Sequence, residues 1–294
     1  MNTYVFQADE KKVTDIVDSF DESYFVSPPQ YADYCIKFDE CTITIYHSGK
    51  VVFQGATADL YAQTFFPEEE INQNVKESAV RLALPQAGSD EVGTGDFFGP
   101  ICVCASYIDE DIYNKLRGYR LIDSKQLTDE YIAQIAPDLI QIVPHSLLIL
   151  SNEKYNEVVA TNNLNMIKAK MHNQAYINLA RKGIKLPKTI VIDDFCGEEL
   201  YYNYLRAENA IVEGITFETK AENKYISVAV SAIIARYSFL IAMKQMEEAY
   251  GMDFPKGAGP QVDSAAQSFI LRYSKDELGK VAKLNFKNAS RIDQ

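Results

Sequence analysis

The central segment of the chain is Gly88-Ser89-Asp90-Glu91-Val92-Gly93-Thr94-Gly95-Asp96-Phe97-Phe98-Gly99-Pro100, which lies between the apolar runs 80–84 and 101–105. Its adjacent acids, Asp90 and Glu91, would point to opposite faces of a flat strand, so they can share a ligand only at a strand end or a bulge. The turn Gly93-Thr94-Gly95 bends the chain and lets backbone N–H groups approach an anion. Hard oxygen ligands beside such a turn suit a divalent metal and a phosphate-bearing substrate. On spacing alone, a polar strand-turn-strand hairpin with solvated acids explains the segment equally well.

Composition indicates a globular chain of one large or two ordinary domains, with 294 residues, 47% hydrophobic and 24% charged. No apolar run approaches the ~20 residues that cross a bilayer, and the N-terminus lacks the pattern of a secretory signal. The five cysteines form no Cys-x-x-Cys pair, which disfavours structural zinc and a disulfide framework. We therefore predict a cytoplasmic protein with no membrane partner, in which Cys102 and Cys104 are small buried residues on one face of a strand.

The net charge of −12 is unevenly distributed. Residues 1–75 contain thirteen acids and four lysines, a net charge of −9. Proteins that bind nucleic acid usually carry a basic surface, so this composition weighs against a nucleic-acid partner. A contact between this segment and nucleic acid would need a local patch such as Lys37 and Lys50, acting with aromatic or polar side chains against a repulsive mean field.

Residues 1–70 predict a small α+β module, and the polar, acidic stretch that follows predicts a linker at residues 71–80. The module combines helical spacing of apolar residues with short alternating runs of β-branched and aromatic residues. The predicted elements are a helix at Val13–Phe20, strands at 34–38, 42–46 and 51–54, and a closing helix at Ala56–Phe66. The aromatic residues of the strands either fill a core or form a platform for stacking nucleotides; these are Tyr34, Phe38, Tyr46 and Phe53.

Residues 81–294 predict one α/β domain with helices on both faces of a sheet, because strand and helix patterns are mixed throughout this segment. Two long helices are expected at Asn165–Arg181 and Tyr225–Tyr250. The first has apolar residues at helical spacing and a polar outer face, and the second has small residues that permit close packing on the sheet. A helix at Ser264–Tyr273 is expected to finish the fold.

Three further places in the chain could supply an acid to join the central pair, because one strand end supplies only two ligands of a metal site. Asp193 ends the most apolar strand of the chain, where a charge without a partner is poorly solvated, and Asp194 follows it. Glu222 precedes the second long helix, whose dipole also explains a negative charge there, and Asp123 lies in a loop. Spacing alone leaves open whether these acids meet, and each taken singly is more often a solvated surface group.

The central segment closely resembles the signature of bacterial ribonuclease HIII. The likeness continues in the family's order over most of residues 80–290, through Asp123-Ser-Lys-Gln-Leu-Thr128, Tyr155-Asn156, Asn163-Leu-Asn165, Lys168-Ala169, His172-Asn173, Ile192-Asp193, Lys220-Ala-Glu-Asn-Lys-Tyr225, Ser231-Ala-Ile-Ile-Ala-Arg236 and Pro255-Lys-Gly-Ala-Gly259. Residues Tyr34–Gly55 resemble the domain appended to that family, which is similar to one repeat of the TATA-binding protein (TBP). The resemblance implies an α/β fold with an RNase H-like mixed sheet flanked by helices in a catalytic domain at 81–294. A small α+β, TBP-like substrate-binding domain at 1–70 precedes it.

The resemblance also implies an endonuclease that cuts the RNA strand of RNA–DNA hybrids. Four residues match the family's acidic catalytic positions, and the first three of them are the implied metal ligands: Asp90, Glu91, Asp193 and Glu222. This sequence departs from the family in two places. A second acid, Asp194, follows Asp193 and stays a rival ligand, and Asn223 stands where a serine is expected after the last acid.

From this resemblance we expect two Mg²⁺ ions about 4 Å apart, with Mn²⁺ able to replace Mg²⁺. One ion would activate water and the other would stabilise the leaving 3′-oxygen, so the products would carry 5′-phosphate and 3′-hydroxyl ends. No histidine is placed by the sequence to act as a base. The backbone of Gly93, Thr94 and Gly95 is expected to contact ribose 2′-hydroxyls, and Lys125 and Lys224 are candidate phosphate contacts. The expected partner is an RNA–DNA hybrid, bound by a monomer.

Three alternatives stay open. A resolvase, transposase or exonuclease on the same fold also clusters acids, but gives no reason for the glycine turn at 93–95. A non-catalytic hybrid-binding protein would be expected to lose at least one of the four acids. A ribonuclease HII-like enzyme would cut at single embedded ribonucleotides, and the glycine turn together with the N-terminal module favours type HIII.

Overall fold

The computed structural model describes residues 2–38, 41–55, 57–66, 83–121 and 127–292. The chain divides into two compact units, Met1–Ala79 and Val80–Gln294. The linker predicted at 71–80 and the predicted loop residues Asp123 and Lys125 lie outside the described residues. Each unit has its own sheet and its own hydrophobic core.

The N-terminal unit is a four-stranded antiparallel sheet in the order β1-β4-β3-β2. Its elements are β1 Asn2–Gln7, α1 Glu10–Val17, a 3₁₀ turn at Glu22–Tyr24, β2 Ala32–Phe38, β3 Cys41–Tyr46, β4 Lys50–Gly55 and α2 Ala58–Phe65. Strand β1 was not predicted from the sequence, because it is defined by its pairing with the distant β4. Helix α1 begins earlier than predicted because Asp9 caps it, with Oδ1 accepting a hydrogen bond from the Lys12 N–H at 2.8 Å.

The two faces of the N-terminal sheet differ in chemistry. Phe38 and Phe53 are buried in the core with residues of both helices, so the core interpretation is right for these two aromatic side chains. The opposite face carries a row of paired side chains that crosses all four strands: Thr3, Gln54, Thr42 and Lys37. Strand alternation places Tyr46 on this face as well, where Lys50 Nζ lies 5.9 Å from its ring centroid. Tyr34, on the edge strand β2, is exposed.

The C-terminal unit contains a five-stranded mixed sheet in the order β7-β6-β5-β8-β9. Its strands are β5 Gln86–Val92, β6 Ile101–Ile108, β7 His145–Leu150, β8 Thr189–Asp193 and β9 Ile215–Glu218. Strand β6 is antiparallel to both neighbours, whereas β5, β8 and β9 run parallel to one another. The carboxyl ends of these three parallel strands therefore lie at one edge of the sheet.

Helices cover both faces of this sheet. They are α3 Glu110–Leu116, α4 Asp129–Ile142, α5 Asn152–Val158, α6 Leu164–Arg181, α7 Glu198–Leu205, α8 Ile226–Tyr250, α9 Pro260–Tyr273, α10 Lys275–Val281 and α11 Lys287–Ile292, with a 3₁₀ turn at Ala221–Asn223. Cys102 and Cys104 are fully buried in the core that contains α8, as predicted, and Val103 is buried in the core that contains α6. The predicted mixed sheet flanked by helices, preceded by a small α+β unit, is confirmed.

Helix α8 packs directly against β5 at Gly88. A Cβ atom at this position would lie 2.5 Å from Ser227 Oγ and 2.5 Å from the Val228 nitrogen, so a side chain larger than hydrogen cannot fit. Ser231 Oγ donates a hydrogen bond to the Gly88 carbonyl at 2.8 Å. Among the described residues, α8 is the one helix whose length and composition would allow it to cross a membrane, but 72% of its apolar window is buried in the unit. We therefore assign α8 as a core helix.

The fold continues beyond Tyr273, so the prediction that a helix ends the domain there is wrong. Helices α10 and α11 follow, and the segment after α10 pairs with the central segment. Phe98 and Ala282 form an antiparallel β-bridge, and the Gly99 N–H donates to the Val281 carbonyl at 3.0 Å. Both helices are short, with seven and six residues, so they show too little periodicity to be detected in the sequence.

Candidate active site

Asp90 and Glu91 lie near the end of β5 and point to opposite faces of the sheet. In the pairing of β5 with β6, Asp90 lies opposite Cys104 and Glu91 lies opposite Val103. Cys104 belongs to the core on the α8 side, and Val103 belongs to the core on the α6 side. The strand alternation considered in the sequence analysis therefore applies here, and the two acids meet different partners.

Asp193 and Glu222 join Asp90 on the α8 side of the sheet. Ser89 pairs with Ile192 in the parallel register of β5 and β8, so Asp90 and Asp193 come next at two adjacent strand ends. Asp193 Oδ1 accepts a hydrogen bond from the Ala221 N–H at 3.0 Å, which ties β8 to the 3₁₀ turn. Glu222 lies in this turn and is only 2% exposed. Two parallel strands and one turn thus bring three predicted site residues together.

Burial, together with the crowding of carboxylates, raises the pKa of Asp90 well above its ordinary value. Burial is the largest cause, followed by the negative charge of Glu91, and Asp193 and Glu222 raise this pKa further. The Glu91 N–H, which donates to Asp90 Oδ1 at 2.8 Å, acts in the opposite direction. All four predicted catalytic acids are therefore close enough to interact electrostatically at Asp90.

Glu91 is held by two side chains of α6 on the other side of the sheet. Lys168 Nζ forms an ion pair with Glu91 Oε1, and His172 Nε2 lies 2.8 Å from Glu91 Oε2. Burial acts to raise the pKa of Glu91, but the hydrogen bond and charge of His172 and the ammonium of Lys168 together lower it to about 2. Glu91 is therefore ionised at neutral pH, and both of its oxygens are engaged.

His172 is fully buried, and both of its ring nitrogens have partners. Nδ1 lies 2.7 Å from Ser89 Oγ, and Nε2 contacts Glu91. The imidazole stacks on Phe195 with the ring centroids 5.6 Å apart, and Lys168 Nζ lies 3.9 Å from the centroid of the same phenyl ring. This arrangement leaves neither nitrogen of His172 open to a substrate.

Asp194, the rival of Asp193, turns into the loop that precedes α7. Its Oδ1 accepts hydrogen bonds from the Cys196 N–H at 3.1 Å and from the Gly197 N–H at 2.7 Å. These bonds hold its carboxylate against the local backbone, at the start of a helix where negative charge is favoured. The geometry therefore favours Asp193 as the member of the acid cluster.

The turn at 93–95 needs glycine at its first position. Gly93 has a φ of +94°, and a Cβ atom there would lie 2.1 Å from the Pro100 carbonyl oxygen and 3.2 Å from the Phe239 ring. Thr94 is half-buried, and Gly95 is exposed with no atom within 4 Å of its Cβ position. The fold thus dictates the glycine at 93, whereas the glycine at 95 leaves open space on the surface.

Distant segments anchor the loop that follows this turn. Asp96 Oδ1 accepts a hydrogen bond from the Gly257 N–H at 2.6 Å, and the Phe97 N–H donates to the Gly257 carbonyl at 2.9 Å. Lys283 is fully buried and donates to the carbonyls of Asp96, at 2.8 Å, and of Gly99. Burial lowers the pKa of Lys283 to about 8 although the negative charge of Asp96 opposes this change. The C-terminal segment therefore helps to fix the shape of the turn.

Lys224, a predicted phosphate contact, forms an ion pair with Glu218 at 2.5 Å. Glu218 ends β9 and lies in register with Asp193 across β8 and β9, so the acid edge includes a carboxylate that the sequence analysis did not single out. Lys125, the other predicted phosphate contact, lies outside the described residues. Lys224 stays a candidate phosphate contact at the edge of the acid cluster.

Sequence reasoning missed the roles of Lys168 and His172, because a charged residue on a predicted amphipathic helix is assigned to the solvent side. Both residues are buried on α6 together with Asn173, whereas Leu164 and Met171 of the predicted apolar stripe are only half-buried. The i, i+4 spacing of Lys168 and His172 places them on one helix face, which is the signal that could have identified them as a pair.

The acid cluster has the donor chemistry of a divalent-cation site. Carboxylate oxygens are the ligands that Mg²⁺ and Mn²⁺ prefer, and a cation would relieve the repulsion that raises the pKa of Asp90. Within the described part of the chain, no three His, Cys, Asp or Glu side chains are already arranged around one point. The ion pair with Lys168 directs Glu91 to the α6 side. A shared cation would therefore require a side-chain rotation within the cluster.

Comparison with protein families assigns each unit separately. A family model described as Ribonuclease HII matches residues 87–289, which include the whole acid cluster. A model described as a domain of unknown function (DUF3378) matches residues 3–78. The C-terminal unit is thus a nuclease domain of the ribonuclease H class.

Similarity to individual proteins extends over both units. Ribonuclease HIII of Bacillus subtilis is 40% identical over 299 residues, covering 97% of this chain and 94% of that protein. Ribonuclease HIII of Bacillus velezensis is 40% identical over 304 residues, covering 99% of this chain and 97% of that protein. The crystal structure of Bst-RNase HIII in complex with Mn²⁺ matches with a TM-score of 0.72 at 36% identity, covering 99% of this chain and 98% of that one. The chain belongs to the ribonuclease HIII family.

Proposed function

We propose that this chain is a divalent-metal-dependent endonuclease that hydrolyses the RNA strand of RNA–DNA hybrids. The observation that carries this proposal is that Asp90 and Asp193, at the ends of two parallel strands, lie close to Glu222 in the adjoining 3₁₀ turn, where burial and mutual repulsion raise the pKa of Asp90. Such crowding of carboxylates destabilises the folded protein by itself, so we attribute it to the binding of a cation. The similarity to proteins named ribonuclease HIII, one of them crystallised with Mn²⁺, supports the same activity.

In this proposal the catalytic acids are Asp90, Glu91, Asp193 and Glu222, and the first three hold Mg²⁺ or Mn²⁺. The bound ions would supply an activated water and stabilise the leaving 3′-oxygen, which gives 5′-phosphate and 3′-hydroxyl products. The chain itself orients the ligands. The Ala221 N–H fixes Asp193, and Lys168 with His172 fixes Glu91.

Selectivity for RNA is assigned to the backbone of the turn at Gly93, Thr94 and Gly95. The positive φ and the tight packing of Gly93 fix the turn, so its N–H and C=O groups have one orientation. The open space at the Cβ position of Gly95 lets a ribose approach the backbone closely. A 2′-hydroxyl both donates and accepts hydrogen bonds, so a fixed backbone group can distinguish RNA from DNA.

We also propose that residues 1–70 form a substrate-binding domain that contacts the hybrid through the sheet face opposite its helices. The row that crosses this face consists of Thr3, Gln54, Thr42 and Lys37. Tyr46 and Lys50 lie on the same face. None of these six residues is acidic, so the face differs locally from the net charge of −9 carried by residues 1–75. Hydroxyl, amide and ammonium groups of this kind bind phosphates and sugars.

Salt dependence of hybrid binding tests this domain role. Replacing Lys37 and Lys50 together with alanine should weaken binding and reduce the slope of log affinity against log salt by about two, if each lysine contacts one phosphate. Lys11→Ala removes an exposed charge from α1, on the other side of the unit, and serves as the control. An unchanged slope in the double variant would remove the proposed contact.

We further propose that the protein acts as a monomer in the cytoplasm. The support is that helices of the same chain cover both faces of the C-terminal sheet, and that all five cysteines are free thiols. Light scattering at several protein concentrations should give the mass of one chain. A concentration-dependent dimer would contradict this part of the proposal.

Cleavage of four matched duplexes tests the function as a whole: an RNA–DNA hybrid, a DNA duplex with one embedded ribonucleotide, DNA–DNA and RNA–RNA, each with Mg²⁺, Mn²⁺ or EDTA. We expect metal-dependent cleavage of the RNA strand of the hybrid. Preferential cleavage at the single ribonucleotide would indicate an activity of the ribonuclease HII type. Cleavage of DNA–DNA would indicate a different nuclease, and binding without cleavage would indicate a non-catalytic role.

A further inference from the structure

Lys168 places a fixed positive charge against Glu91, a proposed metal ligand. Its ammonium pairs with Glu91 Oε1, and the Lys168 side chain is only 10% exposed. The Phe195 ring also contacts this ammonium, with its centroid 3.9 Å from Nζ. The face of an aromatic ring attracts a cation, so both a carboxylate and a phenyl ring hold the Lys168 charge in place. Such a site fixes the position of the charge far more closely than a surface ion pair does.

The surroundings of Glu91 leave little freedom to either member of the pair. The Glu91 side chain is only 12% exposed, and its second oxygen contacts His172, which in turn contacts Ser89. A buried carboxylate without a cation would be strongly destabilising, so Lys168 neutralises Glu91 within the folded protein. A divalent ion that used Glu91 would have to share this carboxylate with the ammonium or displace the ammonium from it.

We propose that Lys168 is a positioning residue that weakens the binding of divalent cations to the acid cluster in the absence of nucleic acid. Its charge repels a divalent ion twice as strongly as a monovalent one at the same distance, and its ammonium competes for Glu91 Oε1. The phosphate of a bound hybrid adds negative charge that offsets the Lys168 ammonium, so metal binding becomes coupled to substrate binding. This inference rests on the metal site of the proposed function.

Calorimetric titration of the full chain with Mn²⁺, without nucleic acid and at slightly alkaline pH, tests the inference. Lys168→Met removes the charge and should tighten Mn²⁺ binding by about tenfold or more. Lys170→Met is the matched control, because Lys170 lies on the same helix and pairs with Glu208 at 3.1 Å on the surface. Since solvent screens a surface pair, the control should bind Mn²⁺ like the wild type.

If Lys168→Met does not fold, Lys168→Gln tests whether the positive charge of Lys168 weakens Mn²⁺ binding. Glutamine can still donate a hydrogen bond to Glu91 but carries no charge, so the same tightening is expected. The inference would be overturned if a folded Lys168 variant bound Mn²⁺ with an affinity equal to or weaker than that of the wild type. A wild-type protein that binds no Mn²⁺, with or without a hybrid, would instead refute the proposed metal site.

Discussion

Replacing Asp90 with asparagine should stabilise the protein while abolishing cleavage. Asparagine has nearly the same shape, and its amide oxygen can still accept the hydrogen bond that the Glu91 N–H donates at 2.8 Å. The substitution removes one negative charge from a buried cluster in which Glu91, Asp193 and Glu222 all repel Asp90. A gain in stability together with a loss of activity is the signature of a residue selected for function.

The size of the gain in stability expected for Asp90→Asn follows from the repulsion between neighbouring carboxylates. Repulsion between two carboxylates about 4 Å apart is about 1 kcal/mol in water and about 4 kcal/mol at an effective dielectric constant of about 20. We therefore expect the free energy of unfolding to rise by about 1–4 kcal/mol in Asp90→Asn. For a domain of this size, each kcal/mol raises Tm by about 2–4 °C, so the shift is measurable by calorimetry.

The gain should depend on pH in a defined direction. Because the pKa of Asp90 is raised in the folded state, folding favours the protonated form. The stability that the protein gains from holding Asp90 protonated is fully present below the ordinary pKa of an aspartate. This stability is lost as pH rises through the raised pKa of the folded state. The stability curves of the wild type and of Asp90→Asn should therefore coincide at low pH and separate as pH increases.

Thermal unfolding in EDTA across this pH range, paired with a hybrid-cleavage assay, provides the measurement. Mg²⁺ or Mn²⁺ should narrow the gap between the two proteins, because the cation neutralises charge that only the wild type carries. Asp194→Asn is the control, since asparagine can still cap the loop before α7, and it should resemble the wild type in both assays. An Asp90→Asn variant that is less stable than the wild type in EDTA at neutral pH, or that still cleaves the hybrid, would refute the reasoning.

Four further substitutions test other parts of the site. Gly93→Ala should lower the free energy of unfolding by about 2–5 kcal/mol in urea denaturation, because position 93 has a positive φ and a Cβ atom there would clash with the Pro100 carbonyl. Gly95→Ala should leave stability unchanged and slow hybrid cleavage. Asp194→Ala should lower the free energy of unfolding by about 1 kcal/mol, because the hydrogen bonds to the loop before α7 are lost, and it should keep full cleavage activity. A loss of cleavage at normal stability would instead indicate that Asp194 is a metal ligand. Lys283→Met should leave the Asp96 carbonyl without its buried donor, whereas the Gly99 carbonyl keeps the hydrogen bond that Asn152 Nδ2 donates at 2.9 Å. The free energy of unfolding should therefore fall by about 1–3 kcal/mol, and a neutral result in urea would show that this lysine is dispensable.

The sequence predicted the acid cluster better than its surroundings. The alternation of strand residues correctly raised the problem that Asp90 and Glu91 face apart, and the resemblance supplied the other two acids. What the sequence could not supply was the partner of each acid, since a hydrogen bond to the Ala221 N–H or an ion pair with Lys168 depends on segments far apart in the chain. Local patterns report which face a residue occupies and carry no information about the element that packs on that face.

The errors of the sequence analysis have the same physical origin. Strand β1 is stabilised by pairing with β4, and α10 is stabilised by its contact with the central segment, so neither has a strong local pattern. We predicted a polar outer face for helix α6 because charged residues normally face water. Lys168 is buried there because Glu91 compensates its charge, and this compensation becomes visible only when the sheet and the helix are seen together.

Lys283 lies 187 positions after Asp96, so the shape of the 93–99 loop depends on a residue far along the chain. A truncated chain that stops before Lys283 would keep Asp90 and Glu91 but lose the ammonium that holds the adjoining loop in place. The geometry of the turn that follows the acids is therefore a property of the folded C-terminal unit and not of the central segment alone.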